Sequence, residues 1–152
     1  MVSTTSRLRS LIGQTTEERN IAIEQGQIRR FAAAIGESDP LHFDIEAAQA
    51  RGFSSLVAPP TFASALIPPE LFLDTLGWDV VSVLHRSEEY EYYQPICAGD
   101  TLAVTHELGD IYEEGGGKGS DSLLFAVIET CAKSAKGQLV FKGRRVLVRR
   151  MS

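Results

Sequence analysis

The period of apolar positions changes near the middle of the chain. Up to about Gly77, alanine-rich stretches repeat at helical spacing, and beyond it β-branched and aromatic residues alternate with polar ones. Ile21 and Ile23 predict a short strand. From Gln25, Ile28, Phe31, Ala32 and Ile35 fall at i, i+3, i+4 and i+7, which predicts a helix closed by Gly36 in the C′ position. A second helix is predicted over 45–51, with Asp44 as N-cap and Gly52 as its end. A third helical stretch begins near Thr61 after Pro59 and Pro60, is interrupted by Pro68 and Pro69, and resumes through Leu71, Leu73 and Leu76.

The second half predicts four strands, over 80–94, 101–113, 122–133 and 138–149, with turns at 115–119 and Lys136-Gly137. Val140 and Leu147 fall on opposite faces of the last strand, so it is expected to be covered on both sides for part of its length. Helices first and strands afterwards indicate an α+β fold with an antiparallel sheet. A long curved sheet needs its concave face filled, and the apolar stretch with Phe62, Ala65 and Leu66 is the candidate. The expected architecture is a curved antiparallel sheet wrapped around one central helix.

At 152 residues the chain is expected to be a single domain over 1–152, with residues 1–19 a leading extension. Hydrophobic residues at 43 % and charged residues at 23 % exclude disordered, collagen-like and coiled-coil chains. The net charge of −5 argues against a nucleic-acid partner. No apolar run approaches the roughly 18 residues of a membrane helix, and the polar, basic start lacks the apolar core of a secretory signal. Cys97 and Cys131 are too few and too far apart for a disulfide framework or a zinc cage. A soluble protein of the reducing cytoplasm, with no membrane association and no metal, is expected.

The stretch Gly36-Glu37-Ser38-Asp39-Pro40-Leu41-His42 carries the candidate chemistry. Pro40 forces Asp39 out of helical geometry, which bends the chain so that Glu37, Asp39 and His42 can converge. A carboxylate beside an imidazole moves protons at neutral pH, one group activating a water while the other donates or accepts. Singly these residues also have plain structural readings. Asp39 before Pro40 suits a helix cap, Glu37 a solvated charge, and His42 between Leu41 and Phe43 a core histidine. His85 and His106 are read as structural or surface residues, the two cysteines as inert thiols, and Tyr90, Tyr92 and Trp78 as core or interface.

The same stretch resembles the G-D-x-N-P-L-H signature of MaoC-like (R)-specific enoyl-CoA hydratases and β-hydroxyacyl dehydratases. Gly52-Phe53-Ser54-Ser55-Leu56-Val57-Ala58-Pro59-Pro60-Thr61-Phe62 resembles the segment leading into that family's central helix. Tyr93-Gln94-Pro95-Ile96-Cys97-Ala98-Gly99-Asp100-Thr101-Leu102 resembles its P-x-x-x-G-D-T-L strand start. The Ala-Pro-Pro-Thr-Phe variant is similar to the N-terminal-dehydratase branch.

The resemblance implies a hot-dog fold, a homodimer or a heterodimer with another hot-dog chain, and interconversion of 2-enoyl and 3-hydroxyacyl thioesters. It implies no cofactor beyond the coenzyme A or acyl carrier protein that carries the substrate. His42 matches the catalytic histidine, Glu37 stands at the catalytic aspartate position and Asp39 at the asparagine position. Of the two carboxylates, Asp39 is expected to partner His42, being closer in sequence and fixed by Pro40.

Where the family has a glycine whose N–H holds the thioester carbonyl, this chain has Pro59-Pro60. Thr61, next in line, is expected to take that part, with Pro60 and Phe62 beside the substrate. Residues 130–152 hold no acidic residue and seven of the 15 basic ones, a strip suited to an anionic carrier or to a solubilising edge. The alternatives are a non-catalytic acyl-binding subunit of a heterodimeric dehydratase and, ranked last, a thioesterase using Glu70.

Overall fold

The computed structural model describes residues 3–115, 117 and 121–151. The helices are α1 (Thr4–Arg9), α2 (Gln25–Ala34), α3 (Ile45–Ala50) and α4 (Leu73–Leu76). The strands are β1 (Arg19–Ala22), β2 (Val83–Tyr92), β3 (Thr101–Gly115), β4 (Ser122–Lys133) and β5 (Leu139–Met151). They form one antiparallel sheet in the order β1-β3-β4-β5-β2. The turn expected at 115–119 lies, apart from Gly115 and Gly117, outside the described residues.

Most predicted elements stand within a few residues of their expected bounds. The face of α2 buries Ile28 and Ala32 completely, but Ile35, counted on the same face, is 48 % exposed. It is the C-cap, where the backbone has already left the helical track (φ −93°, ψ 3°). On β5, Val146 and Leu147 are both buried, as covering on two sides requires.

The expected central helix is present and short. The segment inside the curve is a single 3₁₀ turn, Phe62–Leu66, rather than an α-helix. Two proline pairs explain this. Pro59 and Pro60 cannot donate backbone hydrogen bonds, and Pro68 pushes Ile67 into extended geometry (φ −111°, ψ 112°). Too few residues remain between them for a run of i→i−4 bonds. The turn still fills the sheet: Phe62 is 2 % exposed, and its ring packs edge-on against Phe31 at 5.4 Å.

Alternation along the strands sends two apolar clusters to the concave face. One surrounds Phe62, Leu102, Val104 and Phe141, the other Leu8, Trp78, Leu124 and Leu147. Leu8 belongs to α1, so the leading residues pack onto the domain. Gly13 and Thr16 also donate backbone bonds to Leu108 and His106 of β3.

Between the clusters runs a polar band. Arg145 donates to Glu88 at 2.6 Å and to the Pro68 carbonyl at 3.2 Å, tying the inner segment to the sheet. The Tyr90 hydroxyl donates to the other oxygen of Glu88 at 2.6 Å. His106 Nδ1 meets Thr130 Oγ1 at 2.8 Å.

Burial pushes the His106 imidazole down to about 4, with repulsion from Arg145 and Arg19 adding to it. The unfolded chain, with an ordinary histidine near 6.5, then binds more protons between pH 6.5 and 4, so stability rises with pH through that window. Acidification from pH 6.5 to 4 is expected to cost on the order of 1–3 kcal/mol at this residue. Thermal melts over that range check it: His106→Gln should flatten the slope, and an unchanged slope would assign the acid sensitivity elsewhere.

Candidate functional site

α2 ends in a Schellman arrangement: Glu37 N–H donates to Ala32 O at 2.9 Å and Gly36 N–H to Ala33 O at 3.2 Å. Gly36 takes φ +78°, a geometry that glycine adopts without strain, and this turns Glu37 back from the helix axis. Asp39 then caps the 3₁₀ turn Pro40–His42, accepting from Leu41 N–H at 2.9 Å with Pro40 in the first position. The capping backbone bond and the hydrogen bond from Arg51 hold the Asp39 carboxyl below the usual carboxylate range.

His42 is 6 % exposed. Its Nδ1 lies 2.6 Å from the carbonyl oxygen of Val57, which can only accept, so Nδ1 carries the hydrogen. Nε2 of the neutral ring is therefore the free lone pair. Val57 N–H donates in turn to Leu41 O at 3.2 Å, so the histidine loop and the Val57 segment are tied in both directions. Leu41, Ala48, Val57 and Cys97 pack beneath this joint.

The expected partnership is corrected by the geometry. Glu37 Oε2 is the carboxylate oxygen facing His42 Nε2, at 3.9 Å. Asp39 turns to Arg51, whose Nη1 donates to both carboxylate oxygens at 2.8 and 2.9 Å. Sequence proximity misleads because the cap points the Asp39 side chain along the backbone of its own turn. Arg51, 12 positions away, gave no signal as its partner.

At 3.9 Å the Glu37–His42 pair is too long for a direct hydrogen bond, and a water can be shared between them. Glu37→Gln is expected to lower turnover at least about tenfold more than Asp39→Asn, which removes a surface contact. Steady-state rates of the two amides check this, and the reverse order would restore Asp39 as the partner.

A cavity of about 410 Å³ adjoins the joint, with Val57, Pro60, Tyr92, Tyr93 and Ile96 on its wall. This volume lies within the range of small-ligand sites. The Tyr92 hydroxyl donates to the Pro60 carbonyl. Because the carbonyl and N–H of one peptide unit point in opposite directions, this bond also fixes the direction of Thr61 N–H. Among the described residues neither that N–H nor the Thr61 hydroxyl meets a partner, and Thr61 is exposed.

Phe62 is a core residue that also walls a separate cavity of about 350 Å³ with Phe31 and Leu66. Glu70 is exposed beyond the Pro68-Pro69 pair. Cys97 is buried, which pushes its thiol up, and both cysteines are free. Among the described residues no group of three His, Cys, Asp or Glu side chains could hold a metal ion. Among the described residues no helix is long and apolar enough to cross a membrane.

The profile of the FAS1-like dehydratase domain region matches residues 10–143. A UPF0336 protein of Parafrankia sp. is 37 % identical over 139 residues, spanning 89 % of this chain and 88 % of that one. Among solved structures, a MaoC-like dehydratase superposes with a TM-score of 0.78 at 25 % identity, over 93 % of this chain and 43 % of that chain. The C-terminally truncated HadBC (3R-hydroxyacyl-ACP dehydratase) complex of Mycobacterium tuberculosis gives 0.73 at 24 % identity, over 91 % and 96 %. The hot-dog architecture expected from the sequence is thereby shown.

Proposed function

This chain belongs to the FAS1-like dehydratase region family, with UPF0336 relatives, and on that premise we propose that it is an acyl-thioester hydratase or dehydratase. It interconverts 2-enoyl and 3-hydroxyacyl thioesters of coenzyme A or an acyl carrier protein. The observation that carries the reading is the buried His42, its Nδ1 anchored to the Val57 carbonyl and its Nε2 turned to Glu37 at 3.9 Å.

In hydration, a water held between His42 Nε2 and the Glu37 carboxylate adds its oxygen to C3 of the enoyl chain. One group of the pair takes a proton from that water as its oxygen bonds to C3, and the pair returns that same proton to C2, while negative charge builds transiently on the thioester oxygen. Thr61 N–H is the donor for that oxygen, and the cavity beside Tyr92 holds the acyl arm. No redox or metal chemistry enters these steps. The protein works in the cytoplasm, where its two free thiols suit reducing conditions.

A second reading has its own observation: Pro60 offers no N–H where the resemblance calls for one. A chain so altered could serve as the acyl-binding subunit of a pair, as its likeness to a chain of the HadBC complex suggests. Crotonyl-CoA hydration by the purified chain separates the two readings. The hydratase reading expects turnover by this chain alone, in a dimer by light scattering. Turnover that appears only after adding a second hot-dog chain would establish the subunit reading.

A further inference from the structure

Residues 59–69 lie inside the curve of the sheet with little backbone bonding to hold them there. Pro59, Pro60, Pro68 and Pro69 have no N–H to give. The N–H groups of Phe62, Ser64 and Ile67 donate to the carbonyls of Pro59, Thr61 and Ser64, all within the segment. Among the described residues no backbone hydrogen bond joins 59–69 to the sheet. Packing of Phe62, Ala63 and Leu66 into the core sets the depth of the segment. Apolar contact is non-directional, so slide and rotation are left to directed bonds.

Two side chains supply those bonds, one at each proline pair. At the first, the Tyr92 hydroxyl donates to the Pro60 carbonyl, and Ala63 N–H is aimed at the same hydroxyl oxygen. The hydroxyl thus stands where a 3₁₀ turn would close directly from residue 63 to residue 60. The Tyr92 ring is seated on Tyr90 and Phe141, with centroids 6.2 and 5.9 Å away.

At the second, Arg145 Nη1 donates to the Pro68 carbonyl at 3.2 Å. The guanidinium cannot swing, because its Nε and Nη2 both meet Glu88 Oε1 at 2.6 Å. Glu88 is held in turn by the Tyr90 hydroxyl on its other oxygen. Burial and the neighbouring Glu88 push that hydroxyl up, so it stays a donor. Gly143 of β5 faces Tyr90, and a Cβ there would come within 3.2 Å of the ring, so the band has room for this arrangement only with glycine.

We propose that Tyr92 and Arg145 are positioning residues, which hang the inner segment from the sheet at Pro60 and Pro68 and thereby set where the Thr61 amide meets the thioester oxygen. The proposal rests on the thioester reading above. The short Phe62–Leu66 turn joins the two anchors, so release at either end moves the peptide that carries Thr61 N–H. Alignment of that donor matters most when charge develops on the oxygen, so its loss falls on kcat rather than KM.

The test compares the purified parent chain with Tyr92→Phe, which keeps the ring, and Arg145→Lys, whose single nitrogen cannot serve Glu88 and Pro68 together. Glu88→Gln loosens Arg145 without emptying its place, and replaces Arg145→Lys if that variant does not fold. With crotonyl-CoA each variant is expected to lose about tenfold in kcat, with KM within about twofold of the parent. The amide resonance of Thr61 should shift in both, although Arg145 lies at the far end of the segment. An unmoved Thr61 resonance in both variants, or an unchanged kcat in an active parent's variants, would overturn the proposal. So would a raised KM with kcat preserved, which would make Tyr92 a substrate contact. If the resonance shifts in both variants but the parent hydrates nothing, the hydratase reading fails and the suspension of the segment stands. If the parent hydrates crotonyl-CoA while the resonance and kcat ignore both substitutions, the reading stands and the positioning role falls.

Discussion

His42→Ala should lower hydration turnover by about 10²–10⁴-fold, the usual contribution of a positioned acid–base group. The ring is buried, and its Nδ1 bond to the Val57 carbonyl joins two loops, so alanine removes structure together with chemistry. His42→Asn is the cleaner companion, since its amide nitrogen stands where Nδ1 stood and can donate to Val57 O but cannot exchange a proton at neutral pH. Both variants should fold with far-ultraviolet circular dichroism like the parent. Near-normal turnover in the asparagine variant would remove His42 from the chemistry, whatever its place in the fold.

The second large effect is expected at the Pro60–Thr61 peptide. Loss of one donor to a developing oxyanion typically costs about 10²–10³ in rate, roughly 2.7–4 kcal/mol. Thr61→Pro deletes the free N–H and should lose that much. Pro60→Gly restores an N–H one position earlier and should hold or raise the rate, provided the Phe62–Leu66 turn survives. Steady-state kinetics on a series of acyl-CoAs, with melts to confirm folding, gives the comparison. A Thr61→Pro enzyme as fast as the parent would show that this amide is not the donor. If neither the parent nor Pro60→Gly turns over while a partner chain restores activity, the subunit reading replaces the hydratase one.

Tyr92 bears on the same peptide. Its hydroxyl holds the Pro60 carbonyl and so fixes the direction of Thr61 N–H. Nothing local marked it for this. In sequence Tyr92 is one of several aromatics on a strand, 32 positions from Pro60, and its role exists because β2 curls under the inner segment. Arg51 is a parallel case: a residue near a helix end turns out to hold the carboxylate that sequence proximity had assigned to His42.

The amino-acid sequence by itself determined the order of elements, the antiparallel sheet and the loop that carries the site. These are local matters: the period of apolar positions, Gly36 beyond α2, Asp44 before α3 and proline pairs where backbone donors are lost. Asp39 as a cap was legible for the same reason, because Asp before Pro acts on the next two residues. The tertiary structure alone decided which carboxylate faces His42 and where Arg145 points. Those outcomes depend on partners 12 to 77 positions away, brought together by the curvature of the sheet. A side chain's neighbours across that distance are set by which face the strand presents and which carbonyl is left unpaired, and residue order along the chain does not encode either directly.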